Sequence, residues 1–382
     1  MARSRRRYEL EDAELNRLAE DLVARAAQAY GCSDDTAPEL VRQMLVTALR
    51  LMRDRASGGD LKLVNNALKE LRHAFRVFSP YDQVRKVAVF GSARTSPENP
   101  AWQQAHRFAE RMVAAGWMVI TGAGDGIMGA AQGGAGRESS FGVNIRLPFE
   151  QRANAVIEGD PKCINFRYFF TRKVTFVKES HAIVLFPGGF GTHDEGFEAL
   201  TLIQTGKSEI VPVVFVDEPD GDYWESWEQY VTSHLGQRGL ISPQDPSLFR
   251  VTDNVEAAVE EVTRFYRNYH SSRFVGDVLV LRVREAPDAA VLEALSREFA
   301  DILAEGAIEA SGPLAGEGGE VPQLARLVLH FDRKSMGRLR ELIDRLNELE
   351  LSPELALPDA SPHEIVAVEI SPGLEAAEDE ES

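Results

Sequence analysis

The sequence has little of several features that define common protein classes. Its 382 residues include only two cysteines, Cys32 and Cys163, which lie far apart and form no C-x-x-C pair. A disulfide framework or a zinc site is therefore not expected. No segment approaches the roughly 20 consecutive apolar residues that a membrane span needs, and the basic N-terminus has no apolar stretch of the secretory type. These absences predict a protein of the reducing cytoplasm that does not contact a membrane.

Positive charge is also scarce. The chain has 60 acidic residues against 42 lysines and arginines, a formal net charge of −18 and a pI near 5.0. Such a balance argues against a general nucleic-acid or anionic-membrane binder, although a local basic pocket remains possible. At 44% hydrophobic residues, the chain is long enough for two or three domains with a large core.

Several nucleotide and hydrolase motifs are missing. There is neither a G-x-x-x-x-G-K-[ST] nor a G-x-S-x-G segment, which disfavours a P-loop NTPase and a serine hydrolase. The stretch Gly124-Asp-Gly-Ile-Met-Gly129 formally satisfies G-x-G-x-x-G, but it follows the second predicted strand rather than the first. The next strand carries Asn144 and Arg146 where a ribose-binding acid is expected. A dinucleotide oxidoreductase is therefore a weak interpretation.

The centre of the chain alternates short apolar strands with helices. Strands are predicted at 86–90, 117–121, 142–147, 182–186 and 210–216, and the helices between them include 99–115, 130–134 and 166–179. Strands that are apolar throughout are buried on both faces, which is typical of a doubly wound parallel sheet of the α/β class. Ligands of such sheets bind outside the carboxyl ends of the strands.

The flanking segments have different patterns. Amphipathic spacing predicts helices at 8–30, 36–55 and 61–77, and we interpret 1–80 as a helical extension. Residues 81–270 form the predicted central domain, which contains the parallel sheet. Two β-then-α pairs, at 278–303 and 327–349, predict a small α+β domain at 271–350, of the ferredoxin-like split type. The proline-rich and acidic segment 351–382 is predicted to be disordered.

One strand-to-helix turn is the best candidate for a ligand site. After the apolar run 182–185, the turn has glycines at Gly188, Gly189 and Gly191, followed by Thr192. Glycines let backbone N–H groups approach a ligand, and a helix N-terminus favours an anion such as phosphate. Thr192 can cap the helix or donate to that phosphate, and Glu195 can close a capping box or point into the pocket. An ordinary tight turn with a helix cap remains the alternative.

Two more glycine turns follow neighbouring strands, and a basic pair precedes the turn at 187–195. Gly91 and Ser92 end the first strand, and Gly122, Gly124 and Gly126 end the second. Arg172 and Lys173 lie on the preceding helix, and a helix that runs antiparallel to the next strand brings Arg172 to that strand's carboxyl end. Arg172 and Glu195 are therefore predicted to face one pocket. A solvated surface cation, or a salt bridge for one of the pair, is the alternative.

These segments resemble the Lonely Guy family of cytokinin riboside 5′-monophosphate phosphoribohydrolases, whose members are often labelled lysine decarboxylases. The resemblance is carried by Gly91-Ser92, the 122–128 turn, the 144–150 segment, Arg172-Lys173 and the stretch Pro187-Gly-Gly-Phe-Gly-Thr-His-Asp-Glu195. It spans about residues 84–268 and leaves both extensions uncovered. Asp194 stands where many members have glutamate, and Ala123 and Asp125 interrupt a turn that is often G-G-G-P-G.

The resemblance implies a Rossmann-like fold that assembles as a homodimer or a larger homo-oligomer. It also implies hydrolysis of the N-glycosidic bond of a nucleoside 5′-monophosphate to free base and ribose 5-phosphate, without a metal or an organic cofactor. The implied catalytic residues are Arg172 and Glu195. The implied substrate contacts are Gly188, Gly189, Gly191, Thr192, Lys173, Glu150, Thr201, Gly91, Ser92, Gly122, Gly124 and Gly126.

Two other functions stay open on the sequence. Relatives with this fold bind molybdenum cofactor, so a carrier that binds a nucleotide or a molybdenum cofactor without turnover is the second interpretation. Lysine decarboxylation is the third, but that chemistry uses a lysine-bound pyridoxal phosphate, and Lys173 is better interpreted as an anion contact. For the hydrolase, an oxocarbenium-like ribose requires a nearby carboxylate, which we assign to Glu195.

Overall fold

A computed structural model describes residues 8–32, 36–146 and 152–352. The chain divides into two compact units at Glu70. The first unit contains α1 (Ala13–Tyr30), α2 (Thr36–Arg53) and the beginning of α3 (Gly58–Phe78). The Asp12 carboxylate accepts hydrogen bonds from the first-turn N–H groups of α1, and Gly31 ends that helix in a left-handed conformation. The three predicted N-terminal helices are therefore present.

The second unit contains a seven-stranded sheet in which every strand pair is parallel. Its spatial order is β4-β3-β2-β1-β5-β6-β7. The strands are β1 (Lys86–Phe90), β2 (Met118–Thr121), β3 (Ser140–Ile145), β4 (Cys163–Phe166), β5 (Ala182–Leu185), β6 (Val213–Val216) and β7 (Arg250–Thr252). The central strands are buried along their whole length. The predicted doubly wound, Rossmann-like α/β fold is confirmed.

Helices connect most of the consecutive strands, as parallel pairing favours. They are α4 (Pro100–Ala114), α5 (Ile127–Ala135), α6 (Phe169–Glu179), α7 (Phe190–Gln204), α8 (Tyr223–Tyr230) and α9 (Val255–Phe265). Short 3-10 turns lie at Ser79–Tyr81 and Asp245–Leu248, and a π-helical turn follows α8 at Val231–Gly236. The sheet order reverses between β1 and β5, because β2 lies on one side of β1 and β5 on the other. The carboxyl ends of those two strands form the crevice where such sheets bind ligands.

The second sheet is antiparallel, with the order β10-β11-β9-β8. Its elements are β8 (Tyr269–Val275), β9 (Val278–Val283), α10 (Ala289–Glu298), β10 (Leu303–Ser311), β11 (Ala325–Phe331) and α11 (Met336–Glu348), with 3-10 turns at Ala300–Ile302 and Ala315–Glu317. The predicted α+β character is confirmed. The ferredoxin-like interpretation is wrong, because each helix follows a hairpin and no crossover joins parallel strands.

A buried polar junction joins the two sheets. Asn347 on α11 accepts hydrogen bonds from the backbone N–H groups of Asn268 and Tyr269 and donates to the carbonyl of Phe265. The Asn268 amide group donates to the carbonyl groups of Leu346 and Glu285. Only three residues separate α9 from β8. The predicted boundary at 270 thus falls inside a continuous hydrogen-bond network, and the four-domain division stays a prediction.

A buried ion-pair network lies inside the antiparallel sheet. The Glu317 carboxylate receives Arg282 Nε at 2.8 Å and Arg326 Nε at 3.2 Å, and all three side chains are at least nine-tenths buried. Burial alone would raise the pKa of Glu317. The Leu314 N–H and the two guanidinium groups lower it instead, to about 2. The network fixes the loop that connects β10 to β11.

None of the helices within the described residues is long and apolar enough to cross a membrane. Both cysteines, Cys32 and Cys163, are free thiols, as their separation in the sequence predicts. The predicted disordered tail lies outside the described residues from 353 onward.

Candidate functional site

Three loops meet at the carboxyl ends of the central strands. The N–H of Ser92, after β1, donates to the carbonyl of Pro187, after β5, at 3.1 Å. The N–H of Ile127, which begins α5 after β2, donates to the carbonyl of Ser92 at 3.0 Å. The three glycine turns predicted from separate parts of the sequence therefore form one continuous floor, at the point where the strand order reverses.

Two glycines are required where these loops touch. A β-carbon on Gly126, whose φ is +62°, would lie 2.3 Å from the Ser92 carbonyl oxygen. A β-carbon on Gly188 would lie 2.1 Å from Thr192 Oγ1 and 3.0 Å from the Ser92 nitrogen. Any side chain at either position would push two of the three loops apart.

Gly189 and Gly191 differ from those two, because the protein itself does not require a glycine there. A β-carbon at either position would meet no atom of the described residues within 4 Å, and neither backbone is left-handed. Gly189 is the N-cap of α7, and no side chain caps the helix. The first N–H groups of a helix lack intrahelical acceptors, so this end of α7 presents donors and the positive end of its dipole to open space.

Helix α7 begins earlier than the sequence suggests. It starts at Phe190, so Thr192 lies inside the first turn and its N–H donates to the Gly189 carbonyl at 3.0 Å. The predicted capping by Thr192 is therefore wrong, and Glu195 is too far into the helix to close a capping box. Thr192 is buried, and its hydroxyl packs against the backbone of Gly188.

Arg172 is held over the β2 turn. Its Nε donates to the carbonyl of Val143 at 2.9 Å, and its guanidinium carbon lies 5.3 Å from the centre of the Phe176 ring. A β-carbon on Gly122 would lie 2.6 Å from Arg172 Nη2, so the glycine makes room for the guanidinium. Burial lowers the pKa of Arg172, and the charge of Glu195 partly offsets this. Within the described residues no carboxylate forms an ion pair with Arg172.

Lys173 points to the other side of α6, where three carboxylates surround it. Its Nζ lies 2.6 Å from Glu198 Oε2, 2.9 Å from Asp194 Oδ2 and 3.6 Å from Glu195 Oε2. Burial lowers the pKa of Lys173, but hydrogen bonds to Glu198 and Asp194 raise it and outweigh the effect of burial. The net shift of the pKa is therefore upward. This ammonium group therefore organises the acidic face of α7. Its predicted contact with a substrate stays a prediction.

Glu195 is the buried member of that acidic face, with a side chain that is 10% exposed. Burial raises the pKa of Glu195, and the positive charges of Lys173 and Arg172 oppose the rise without cancelling it. The structure thus brings Arg172 and Glu195, 23 residues apart in sequence, close enough for each charge to shift the pKa of the other. A carboxyl group with a raised pKa next to a buried guanidinium is suited to proton transfer and to stabilising a developing charge.

One predicted contact is not brought to this position. Thr201 is exposed on α7, and six residues of helix place it about 120° around the axis from Glu195. Glu150 lies outside the described residues. Gly91 and Gly124 contribute backbone to the floor, and a β-carbon on Gly91 would collide with Ile127 at 2.6 Å.

Sequence reasoning missed Tyr223, which holds the turn at 187–195. The Tyr223 hydroxyl, on α8, donates to the carbonyl of Gly188 and lies 2.7 Å from His193 Nε2. Burial lowers the pKa of His193. Because Tyr223 lies outside the turn motif and begins a helix that the sequence analysis did not predict, no local pattern indicated this bond.

Asn154 was missed in the same way. Its side-chain amide donates to Gln132 Oε1 at 2.6 Å, to the carbonyl of Gly124 at 2.9 Å and to that of Ala123 at 3.2 Å. Ala123 has a φ of +62°, which is unusual for a residue with a side chain. Asn154 therefore fixes the β2 turn in a conformation that the turn's own residues do not favour.

The described part of the chain contains no group of three His, Cys, Asp or Glu side chains arranged to hold a metal ion. The chemistry available at the site is that of the backbone amides of α7, a buried guanidinium and a desolvated carboxyl group.

Comparison with known proteins gives three findings. Residues 127–262 match the model of a protein family described as possible lysine decarboxylase. The chain is similar to the solved structure of a molybdenum cofactor binding protein from the phototrophic bacterium Rippkaea orientalis, with 18% identity, coverage of 47% of this chain and 96% of that chain, and a TM-score of 0.34. It is also similar to the molybdenum cofactor carrier protein of Chlamydomonas reinhardtii, with 20% identity, coverage of 47% and 97%, and a TM-score of 0.34.

A comparison with curated protein sequences gave no match. The family match covers α5 to α9 and includes Arg172, Lys173 and the whole turn from Pro187 to Glu195. The resemblance that these residues carry is thereby confirmed for residues 127–262, which match the model of the possible lysine decarboxylase family, a description often given to Lonely Guy proteins.

Proposed function

We propose that this protein is a phosphoribohydrolase that cleaves the N-glycosidic bond of a nucleoside 5′-monophosphate, such as AMP or a cytokinin riboside monophosphate, to free base and ribose 5-phosphate. One observation carries the proposal. Gly189 and Gly191 have no structural reason to be glycine, yet they open the N-terminus of α7 one helical turn before a buried carboxyl group of raised pKa.

The 5′-phosphate is the group that fits the N-terminus of α7. Its oxygens would accept the uncapped first-turn N–H groups, and small residues at Gly189 and Gly191 let the phosphate approach the backbone. The first turn of α7 carries no acidic residue to repel the anion. This contact explains why a nucleotide would be preferred over a nucleoside.

Glu195 then lies where a ribose ring anchored by its phosphate would extend. Water attacks C1′ as the bond to the base nitrogen breaks, and the electron pair of that bond leaves with the base. Glu195, in its ionised form, accepts a proton from the attacking water and stabilises the oxocarbenium-like ribose. Burial strengthens both effects, because a partly desolvated carboxylate interacts more strongly with a developing positive charge.

Arg172 supports the departing base. Its Nε is fixed by the Val143 carbonyl, which leaves the terminal nitrogens of the guanidinium to donate to the substrate. A charge held rigidly in a dry site stabilises negative charge on a leaving group without reorganisation. Lys173, already bound to three carboxylates, acts by lowering the pKa of Glu195.

The proposal extends to assembly and location. Large apolar side chains are exposed on α6 and α7 next to the site, among them Phe169, Phe170 and Phe190, the last 97% exposed. Exposed apolar surface of this kind supports a homodimer or a larger homo-oligomer, which sedimentation velocity would measure. Two free thiols fit a reducing compartment such as the cytoplasm.

The experiment incubates the full chain with AMP and other nucleoside monophosphates and measures free base by chromatography. Glu195→Gln is expected to reduce kcat by about 100-fold or more while the fold is kept. Asp194→Asn is the matched control, because Asp194 also contacts Lys173 but is largely exposed. Base release that survives Glu195→Gln would remove Glu195 from the mechanism. Tight phosphate-dependent binding without any base release would favour a non-catalytic nucleotide or molybdenum-cofactor carrier instead.

A further inference from the structure

One peptide of the glycine turn, between Gly188 and Gly189, is held by a single side chain. The carbonyl before it, that of Pro187, accepts the Ser92 N–H at 3.1 Å, and the carbonyl after it, that of Gly189, accepts N–H groups from the first turn of α7. Among the described residues, the Gly188 carbonyl accepts only from the Tyr223 hydroxyl. The orientation of this peptide therefore depends on Tyr223.

The direction of the Gly188 carbonyl determines the direction of the Gly189 N–H. The peptide is trans, so the two groups point in opposite directions. Because the carbonyl points toward Tyr223, the N–H points away from it, and this N–H has no acceptor among the described residues. A β-carbon on Gly189 would likewise meet no atom within 4 Å. The Gly189 N–H is thus presented on the open side of the turn.

Without the hydroxyl, this peptide can rotate at little cost. A flip reverses both groups and takes the φ of Gly189 from −86° to about +94°, a region that glycine adopts about as readily as negative φ. Neither Gly188 nor Gly189 has a β-carbon to oppose the rotation. The flipped peptide turns a carbonyl oxygen toward the open side of the turn, and the partial negative charge of that oxygen repels an anion.

His193 directs the hydroxyl proton of Tyr223 to the turn. The hydroxyl oxygen contacts the Gly188 carbonyl and, at 2.7 Å, His193 Nε2. A carbonyl can only accept a hydrogen bond, so the one proton of the hydroxyl lies between Tyr223 and Gly188. The hydrogen of the second bond then belongs to His193 Nε2, which donates it to the hydroxyl oxygen.

Tyr223 is itself held by the beginning of α8. The buried carboxylate of Asp217, which follows β6, accepts the backbone N–H of Trp224 at 2.7 Å. The Tyr223 ring packs edge-on against that of Trp224, with 4.7 Å between the ring centres, and lies 5.8 Å from the His193 ring. The parallel sheet therefore determines where the hydroxyl meets the turn, before any ligand binds.

We propose that Tyr223 is a positioning residue for phosphate binding, which locks the Gly188–Gly189 peptide with its N–H toward the anion. The inference rests on the proposed function, because it takes the 5′-phosphate of the substrate as that anion. Tyr223 acts through the turn and is not a catalytic residue. Loss of its hydroxyl is expected to weaken the binding of a ligand that carries the phosphate and to spare the same ligand without it.

The test measures binding without turnover, by calorimetric titration of full-length Glu195→Gln protein with AMP and with adenosine, which lacks the phosphate. Adding Tyr223→Phe removes the hydroxyl and keeps the ring. We expect AMP to bind about tenfold more weakly, and adenosine to bind equally well. Tyr266→Phe is the matched control, because the Tyr266 hydroxyl also donates to a backbone carbonyl, that of His181 at 2.7 Å, at the amino end of β5. This control is expected to leave both affinities unchanged.

Two results would overturn the proposal. One is an AMP affinity that Tyr223→Phe leaves unchanged. The other is an equal loss of affinity for AMP and adenosine, which would indicate a general disturbance of the pocket. If adenosine binds too weakly to titrate, the ligand-free crystal structure of Tyr223→Phe decides instead. A flipped Gly188–Gly189 peptide would then support this role of Tyr223, and an unflipped peptide would refute it.

The proposed hydrolysis is tested separately, by base release from the unsubstituted protein. Binding of AMP without base release would refute the hydrolase and leave the role of Tyr223 standing. Absence of AMP binding to both the unsubstituted and the Glu195→Gln protein would refute the phosphate site and the role of Tyr223 together.

Discussion

Alanine substitutions at Gly188 and Gly189 distinguish a glycine that the fold requires from a glycine that ligand binding requires. Gly188→Ala places a β-carbon 2.1 Å from Thr192 Oγ1, 2.8 Å from Thr192 Cβ and 3.0 Å from the Ser92 nitrogen, so α7 or the β1 loop must shift. Gly189→Ala places its β-carbon in open space on a backbone with a φ of −86°. The two methyl groups are one residue apart, but only the first meets the protein.

The two substitutions are expected to change the free energy of unfolding in opposite directions. Overpacking by the methyl group of Gly188→Ala costs about 1–3 kcal/mol of the free energy of unfolding. Replacing a glycine whose conformation alanine can adopt stabilises by about 0.4–1 kcal/mol, through the unfolded chain. Gly189→Ala is nevertheless expected to lower kcat/KM for AMP by about tenfold, equivalent to about 1.4 kcal/mol, because its methyl group occupies the path of the phosphate to the α7 amides.

The assay pairs urea unfolding with initial rates of adenine release. Gly312→Ala is the loop-glycine control outside the site, because its β-carbon would also meet no atom within 4 Å and its backbone is not left-handed. A Gly189→Ala protein of normal stability with unchanged kcat/KM would refute the idea that the ligand approaches the backbone here. Equal destabilisation by Gly188→Ala and Gly189→Ala would show instead that both glycines serve the fold.

Two more predictions concern charge. Lys173 lowers the pKa of Glu195, so Lys173→Met should raise that pKa and move the acid limb of the kcat/KM profile to higher pH, whereas Lys178→Met should leave it in place; an unmoved limb would contradict this. Arg326→Met should cost about 3–5 kcal/mol of unfolding free energy in urea, because it leaves Glu317 buried with one partner fewer. Since the pKa of Glu317 is lowered to about 2, its stabilisation is present above the ordinary glutamate pKa and is lost as the pH falls toward 2, so a cost that does not shrink on acidification would contradict the assignment.

The sequence predicts the buried strands best, because their apolar runs are determined locally. The strand predicted at 278–283 is β9, and the one at 86–90 is β1. The sequence does not predict β4 or β10. Both strands lie at sheet edges and expose polar residues such as Asn165, Glu305 and Glu309. An edge strand needs only a neighbour with unpaired backbone groups, and that requirement leaves no periodic pattern in the chain.

For the site, the sequence predicts that Arg172 and Glu195 face one pocket. It does not predict which ion pairs the charged residues form. Arg172 and Glu195 face one site because a helix and the next strand run antiparallel, which follows from the order of elements. The three carboxylates around Lys173 depend on how α6 lies against α7, and the bond from Tyr223 to Gly188 depends on a helix 35 residues along the chain. Both are tertiary contacts without a local signature.

The amide of Asn347 has a consequence for how this protein can be divided. Cutting the chain near residue 270 would remove the acceptor of two buried N–H groups and the donor to the Phe265 carbonyl, while exposing the apolar face that α11 covers on α9. A shortened fragment that keeps only the parallel sheet would thus carry unsatisfied polar groups beside newly exposed hydrocarbon. Such fragments aggregate or are degraded. A truncation that deletes the antiparallel sheet would therefore measure the solubility of the remaining fragment rather than the role of that sheet.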